Sequence, residues 1–111
     1  MPQPAAELVR GDVARLEQRA DALRQLALER RRRHRHEAAA DAWRQLLEAG
    51  AGPALSREAR RALAIHHEHR AHDLEEARRQ AESALASEQD PVEAEALRHR
   101  IARLDRKLGQ G

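Results

Sequence analysis

One helical pattern occurs twice in this 111-residue chain, and this repetition limits the folds open to it more than any other feature. In each copy a small residue is followed by an apolar residue one turn later, and an apolar pair then closes the copy. The matching positions are Ala39, Trp43, Leu46 and Leu47 in the first copy and Ala77, Ala81, Ala84 and Leu85 in the second. Helix pairs that recur at roughly 38 residues are typical of stacked arrays, in which neighbouring units bury each other's apolar faces.

The composition favours the same all-α fold. The chain contains 24 Ala and 14 Leu but one Trp and no Phe, Tyr or Cys. Ala and Leu are strong helix formers, whereas packed sheets depend on β-branched and aromatic residues. The absence of Cys excludes disulfides, thiolate metal sites and a Cys nucleophile.

Helix signals divide the chain into five predicted helices, at residues 12–33, 37–49, 55–70, 73–87 and 91–108. Asp12, Ser56, Asp73 and Asp90 are the expected caps, and Gly50 ends the second helix. We expect residues 12–108 to form one domain, after a partly flexible lead-in at 1–11 and before a tail at 109–111. The predicted architecture is a right-handed array of about two antiparallel helical hairpins with a C-terminal capping helix.

At these positions the sequence resembles the tetratricopeptide repeat. Ala39 and Ala77 match the small residue at which the two helices of a unit come closest, and His36 and Leu74 lie where the family often has Tyr. The first helix of each unit lacks the Trp, Gly and Tyr signature of the family. The resemblance implies antiparallel hairpins and a role in protein binding.

Residues 61–77 are also similar to a segment of bacterial ribonuclease H-like proteins, which are predicted exonucleases. In those proteins a helical-repeat tail follows the nuclease-like domain, with Tyr at the places of His66, His67 and Leu74. The likeness covers roughly residues 20 to 108. Because the nuclease-like domain is missing from this sequence, no catalytic activity carries over.

A histidine-rich segment at residues 66–73 is the place where metal or catalytic chemistry deserves testing. His66 and His69 share a helix face, and Asp73 lies four residues further on, a spacing that can hold a divalent cation. Asp73 has a competing role as a helix cap, and His can pack with its polar tip in water. Structural histidine is the preferred interpretation, ahead of metal binding and catalysis, so we predict no metal, no cofactor and no enzymatic activity.

A basic run at residues 30–36 is the second candidate site. Its arginines could contact phosphates or an acidic protein surface. No aromatic residue is interleaved for base stacking, and cations are also favoured at the end of a helix. The candidate patch consists of Arg30, Arg31, Arg32, Arg33 and Arg35.

The function predicted from the sequence is a non-enzymatic protein-interaction module that binds through the first helices of the pairs. The alternative is a nucleic-acid-associated accessory domain of a nuclease-like system, acting through the basic run and the Arg-rich last helix. Two hairpins are a short array, and Leu8, Leu26 and Leu28 are candidates for exposed apolar surface, so we expect a homodimer through the first helices or a protein partner. No apolar run is long enough to span a membrane, which favours a cytoplasmic protein.

Overall fold

The computed structural model describes the backbone of residues 4–110 and the side chains of residues 10–110. Within this range the chain is all-helical and contains no strand, which confirms the predicted all-α class. The helices are α1 (Pro4–Arg32), α2 (His36–Glu48), α3 (Pro53–His69), α4 (Leu74–Ser87) and α5 (Pro91–Gly109). None of these helices is both long and apolar enough to cross a bilayer.

The first helix begins earlier than the sequence suggested. It starts at Pro4 and continues through Gly11, so Asp12 lies inside the helix and pairs with Arg15 instead of capping it. Pro is favoured at a first helical position, and an interior Gly costs only about 1 kcal/mol. The expected lead-in at 1–11 is therefore helical from residue 4. Residues 1–3, and Gly111 of the expected tail, lie outside the described residues.

The other helix ends follow local capping chemistry. Asp73 and Asp90 cap α4 and α5 as predicted, each accepting a backbone N–H of the first turn at 3.1 and 3.0 Å. Ser56 does not cap α3. Gly52 occupies the cap position, because Pro53 can begin the helix, and the Ser56 hydroxyl donates to the Ala51 carbonyl oxygen at 2.9 Å.

The turns before α2 and α4 share an unusual backbone conformation. His34 and His72 have φ angles of 59° and 55°, in the left-handed region that non-glycine residues seldom adopt. Each of these residues lies two positions before the next helix. The two turns therefore share a left-handed residue at the same position before the next helix, although the first turn has three residues and the second has four.

The core is built mainly from small side chains, which let the helices approach closely. The main helix contacts join neighbours in sequence, from α1–α2 through α4–α5, and the chain measures 65 × 31 × 21 Å. One cluster, between α1, α2 and α3, comprises Ala20, Leu23, Ala27, Ala40, Ala42, Trp43, Leu46, Ala59 and Leu63. A second, between α3, α4 and α5, comprises Ala64, Ala81, Ala84 and Leu97.

Burial is the same at matching positions of the two copies. The first three positions of each copy are buried and the closing leucine is half-buried, and the residues where the resemblance implies Tyr are half-buried too. The buried pairs are Ala39 with Ala77, Trp43 with Ala81 and Leu46 with Ala84; the half-buried pairs are Leu47 with Leu85 and His36 with Leu74.

Candidate functional site

A groove of about 330 Å³ lies where the end of α1 meets α2 and α3. Its apolar part, called here the floor, consists of small alanines, the Trp43 ring and Ile65. Its rim carries basic and imidazole side chains. The floor residues are Ala39, Ala40, Trp43, Ala62 and Ile65, and the rim residues are Arg31, His36, His66, His69 and Arg70.

Helix packing places the groove floor. Trp43 is 5% exposed because its ring fills the space between helices that alanines hold close together, whereas Ile65 is 43% exposed. Arg30 fixes the end of α1 against α2, since its Nη1 donates to the Ala38 carbonyl oxygen at 2.9 Å. An exposed Ile beside a buried Trp offers a partly open apolar surface to a ligand.

The rim has an excess of positive charge. Neither Arg31 nor Arg70 forms an ion pair with any residue between 10 and 110. The pKa of His36 is lowered, first by burial and then by the positive charge of Arg70, His34, His66 and Arg31, in that order. A bound anion would relieve this repulsion.

One rim histidine is already paired. His66 is 9% exposed, and its Nε2 lies 3.0 Å from Oε2 of Glu37, which can accept a hydrogen bond from it. The pKa of Glu37 is lowered, first by a hydrogen bond from Arg44 and also by His66. This contact joins the start of α2 to the end of α3 and fixes one wall of the groove.

The structure divides the predicted arginine patch into parts. Arg32 and Arg33 pair with Glu29, and Arg30 is bound to a backbone carbonyl. Arg31 lies on the groove rim, and Arg35 precedes α2 with its side chain exposed. Arg32 and Arg33 share one acidic partner and remain largely exposed, so phosphate binding by the five arginines stays a prediction.

The histidine-rich segment is also divided. Asp73 caps α4, His66 is paired with Glu37, and His69 Nε2 lies 3.5 Å from a Glu68 oxygen. No group of three or more His, Asp or Glu side chains that could hold a metal ion is found in the described part of the chain. Our prediction of no metal remains a prediction.

Glu68, which accepts hydrogen bonds from three basic side chains, was not predicted from the sequence. The Glu68 side chain is fully buried on α3, and four hydrogen bonds from three α5 side chains hold the pKa of its carboxyl at about 2. Arg103 contributes most to this shift. The donors are Arg100 at 2.5 Å, Arg103 at 2.8 and 2.9 Å and Lys107 at 3.0 Å. Three basic residues spaced three and four apart on α5 were the available sequence signal.

The groove is lined by apolar, arginine and histidine side chains. Its lining residues, all of them described, include no hydroxyl, thiol or carboxylate, and the groups among them that could transfer a proton are the imidazoles of His36, His66 and His69. From the sequence, Arg31 was predicted in the basic patch and Trp43 as a repeat position, whereas Ile65 and Arg70 were missed, because the groove brings together residues up to 39 positions apart.

No protein-family model matches the chain, and no match was found among curated proteins or among solved structures.

Proposed function

We propose that this chain is a non-enzymatic helical-repeat module that binds a protein partner through the groove between α1, α2 and α3. The observation that carries the proposal is an apolar floor beneath a rim whose Arg31 and Arg70 have no ion-pair partner within residues 10–110. Apolar clefts with a few convergent charges are typical of binding sites. A cytoplasmic location and the absence of a cofactor are part of the same proposal.

Helix contacts support the repeat part of the proposal. Arg30, at the end of α1, bonds to the start of α2 at Ala38, and Arg57, near the start of α3, donates to the Ser87 carbonyl oxygen at the end of α4 at 3.0 Å. Such contacts are expected of antiparallel hairpins. The first helices of successive pairs are also linked, since Arg24 of α1 pairs with Glu58 of α3 at 2.6 Å.

The matching turns support the same arrangement. His34 and His72 adopt the same left-handed conformation 38 positions apart, and the buried positions of the two copies coincide. A tetratricopeptide-like pair of hairpins, with α5 as the cap, accounts for both. The resemblance to the tail of ribonuclease H-like proteins stays a separate prediction.

The chemistry of the groove defines the partner. Trp43 and Ile65 offer contact area to an apolar side chain, and Arg31 and Arg70 offer charge to a carboxylate on either side of it. We therefore expect the partner segment to combine an apolar residue with flanking Asp or Glu. This groove lies mainly on α2 and α3; the binding face of first helices predicted from the sequence remains untested.

Selection from a random peptide display library tests the proposal. Peptides enriched on the wild-type protein should carry an aliphatic or aromatic residue flanked by Asp or Glu. Their binding should fall at least tenfold in the double variant Arg31→Glu with Arg70→Glu. Trp43, the single Trp of the chain, provides a fluorescence signal for binding.

A matched control separates the groove from net charge. The double variant Arg98→Glu with Arg106→Glu makes the same charge change on α5, and Arg106, like Arg70, lies near the end of its helix. It should bind the peptides as the wild type does. Equal loss in both variants, or peptides without acidic residues, would reject the proposal. Oligonucleotide binding that only the groove variant abolishes, with no peptide enrichment, would favour the nucleic-acid alternative.

A further inference from the structure

The first half of α1 carries apolar side chains that no other helix covers. Val13 is 47% exposed and Leu16 is 45% exposed, and all side chains from residue 12 to residue 19 are exposed. Further along the same helix, Ala20, Leu23 and Ala27 are buried against the rest of the core. Among its described side chains, α1 is thus exposed from residue 12 to residue 19 and covered along one face from Ala20 onward.

The covered and uncovered halves share one continuous stripe. Its members follow one another at alternating spacings of three and four residues, which is the spacing of the seam in a two-helix coiled coil. The stripe consists of Val13, Leu16, Ala20, Leu23 and Ala27. The chain covers its own stripe from Ala20 onward and leaves the first part available to another helix.

We propose that a second copy of this chain covers the free part of the stripe, in an antiparallel pairing of the two α1 helices. With Val13 of one copy opposite Leu16 of the other, the charges beside the stripe are complementary. Arg10 faces Glu17 of the second copy, and Asp12 faces Arg19 of the second copy. The two-fold symmetry of the pair forms each of these contacts twice.

A parallel pairing has the opposite electrostatics. It would place Asp12 beside Glu17 of the second copy, and like charges at such flanking positions oppose association. The charge pattern therefore selects the antiparallel arrangement. Asp12 already forms an ion pair with Arg15 on its own helix, and at the surface it can exchange that partner at small cost.

The dimer surface and the groove are separate. Leu16 and Arg31 are 15 residues apart on one helix, which corresponds to about 22 Å. The dimer proposal therefore does not rest on the proposed function. Because the uncovered seam is short, we expect a dissociation constant on the order of 10–100 μM.

Sedimentation equilibrium from 1 to 300 μM tests the proposal, with circular dichroism to show that each variant is folded. The wild type should shift from 12.6 kDa toward twice that mass. Leu16→Glu should weaken the dimer at least tenfold. Leu26→Glu is the matched control, because Leu26 is an exposed leucine of α1 outside the stripe, and it should leave the dimer unchanged.

A charge exchange tests the orientation. Glu17→Arg should weaken an antiparallel dimer several-fold, because Arg10 would then face Arg, and adding Arg10→Glu should restore it. A parallel dimer predicts the reverse for Glu17→Arg, which would tighten it by pairing Arg with Asp12. A folded wild type that stays at 12.6 kDa at every concentration, or a Glu17→Arg variant that dimerises more tightly, would overturn the proposal.

Discussion

The Glu68 carboxylate of α3 accepts two hydrogen bonds from the Arg103 guanidinium of α5, at 2.8 and 2.9 Å. Glu68 and Arg103 are 35 positions apart in the sequence. Arg100 and Lys107 also donate hydrogen bonds to the Glu68 carboxylate. A carboxylate with no exposed surface is stable in its charged form only where it is paired and hydrogen-bonded. The contact therefore fixes the end of α3 against α5.

Glu68→Gln should lower the free energy of unfolding by roughly 2–4 kcal/mol at pH 7, because three cations lose their common partner. Denaturant unfolding measures the loss. Glu95→Gln is the control, since Glu95 pairs with Arg98 on the surface and should cost less than about 1 kcal/mol. Equal losses in the two variants would contradict the buried contact.

The hydrogen bonds between Glu68 and Arg103 predict that stability depends on pH. The pKa of Glu68 is lowered from 4.5 to about 2, so its contribution to stability is complete above about pH 4.5 and is lost as the pH falls toward 2. The difference in stability between wild type and Glu68→Gln should therefore shrink over this interval. A difference that stays constant down to pH 2 would show that the carboxylate is not held by charge.

Trp43→Ala should cost roughly 3–5 kcal/mol, because a buried ring is removed from a core of small residues that cannot fill the space. In the wild type, the fluorescence of Trp43 should be blue-shifted in the folded protein and red-shifted on unfolding. Leu108→Ala, at a leucine that is 37% exposed, is the comparison and should cost much less. A loss below about 1 kcal/mol at Trp43 would place the ring on the surface.

His72→Gly should stabilise the protein by up to about 1 kcal/mol, since Gly adopts the left-handed conformation without the strain that a Cβ atom brings. The exposed side chain of His72 contributes little packing. His99→Gly, in the middle of α5, should have the opposite sign and cost about 1 kcal/mol. Thermal unfolding of both variants measures the contrast, and destabilisation at both positions would contradict the turn conformation.

Treatment with a chelator should leave the thermal midpoint unchanged. His66 is engaged with Glu37, and Asp73 holds the first turn of α4, so the fold does not depend on their binding a metal. Differential scanning fluorimetry with and without chelator measures this. A fall of several degrees that zinc reverses would show a metal bound to the native state.

Local chemistry made much of the fold predictable. Asp73 and Asp90 cap their helices from within one turn, and the three- and four-residue spacing of alanines and leucines identified the core faces. The start of α1 was predicted at Asp12 because Asp can cap a helix, whereas Pro4 and the helix-forming residues that follow it begin the helix earlier. At α3, Pro53 determined the helix start where Ser56 was expected to cap.

The candidate site was less predictable because its residues meet through tertiary packing. Arg31 and Arg70 lie on one rim although they come from α1 and from the end of α3. The five arginines of the patch are nearly consecutive in the sequence. In the helix, however, neighbouring residues point in different directions, so Arg32 and Arg33 pair with Glu29 and Arg31 lines the groove. Glu68 was missed because it lies within a histidine-rich segment and its partners are more than 30 residues away in the sequence.

A peptide with an apolar residue flanked by Asp or Glu should bind in the groove, and the pKa of His36 reports this binding most directly. Burial and the positive charge of Arg70 lead the causes that lower this pKa in the free protein. A peptide selected on the wild type should raise the pKa of His36 in an NMR titration, while the NMR signals of the exposed His99 ring, on α5, should not move when the peptide is added. A peptide that binds yet leaves the His36 titration unchanged would contradict the account.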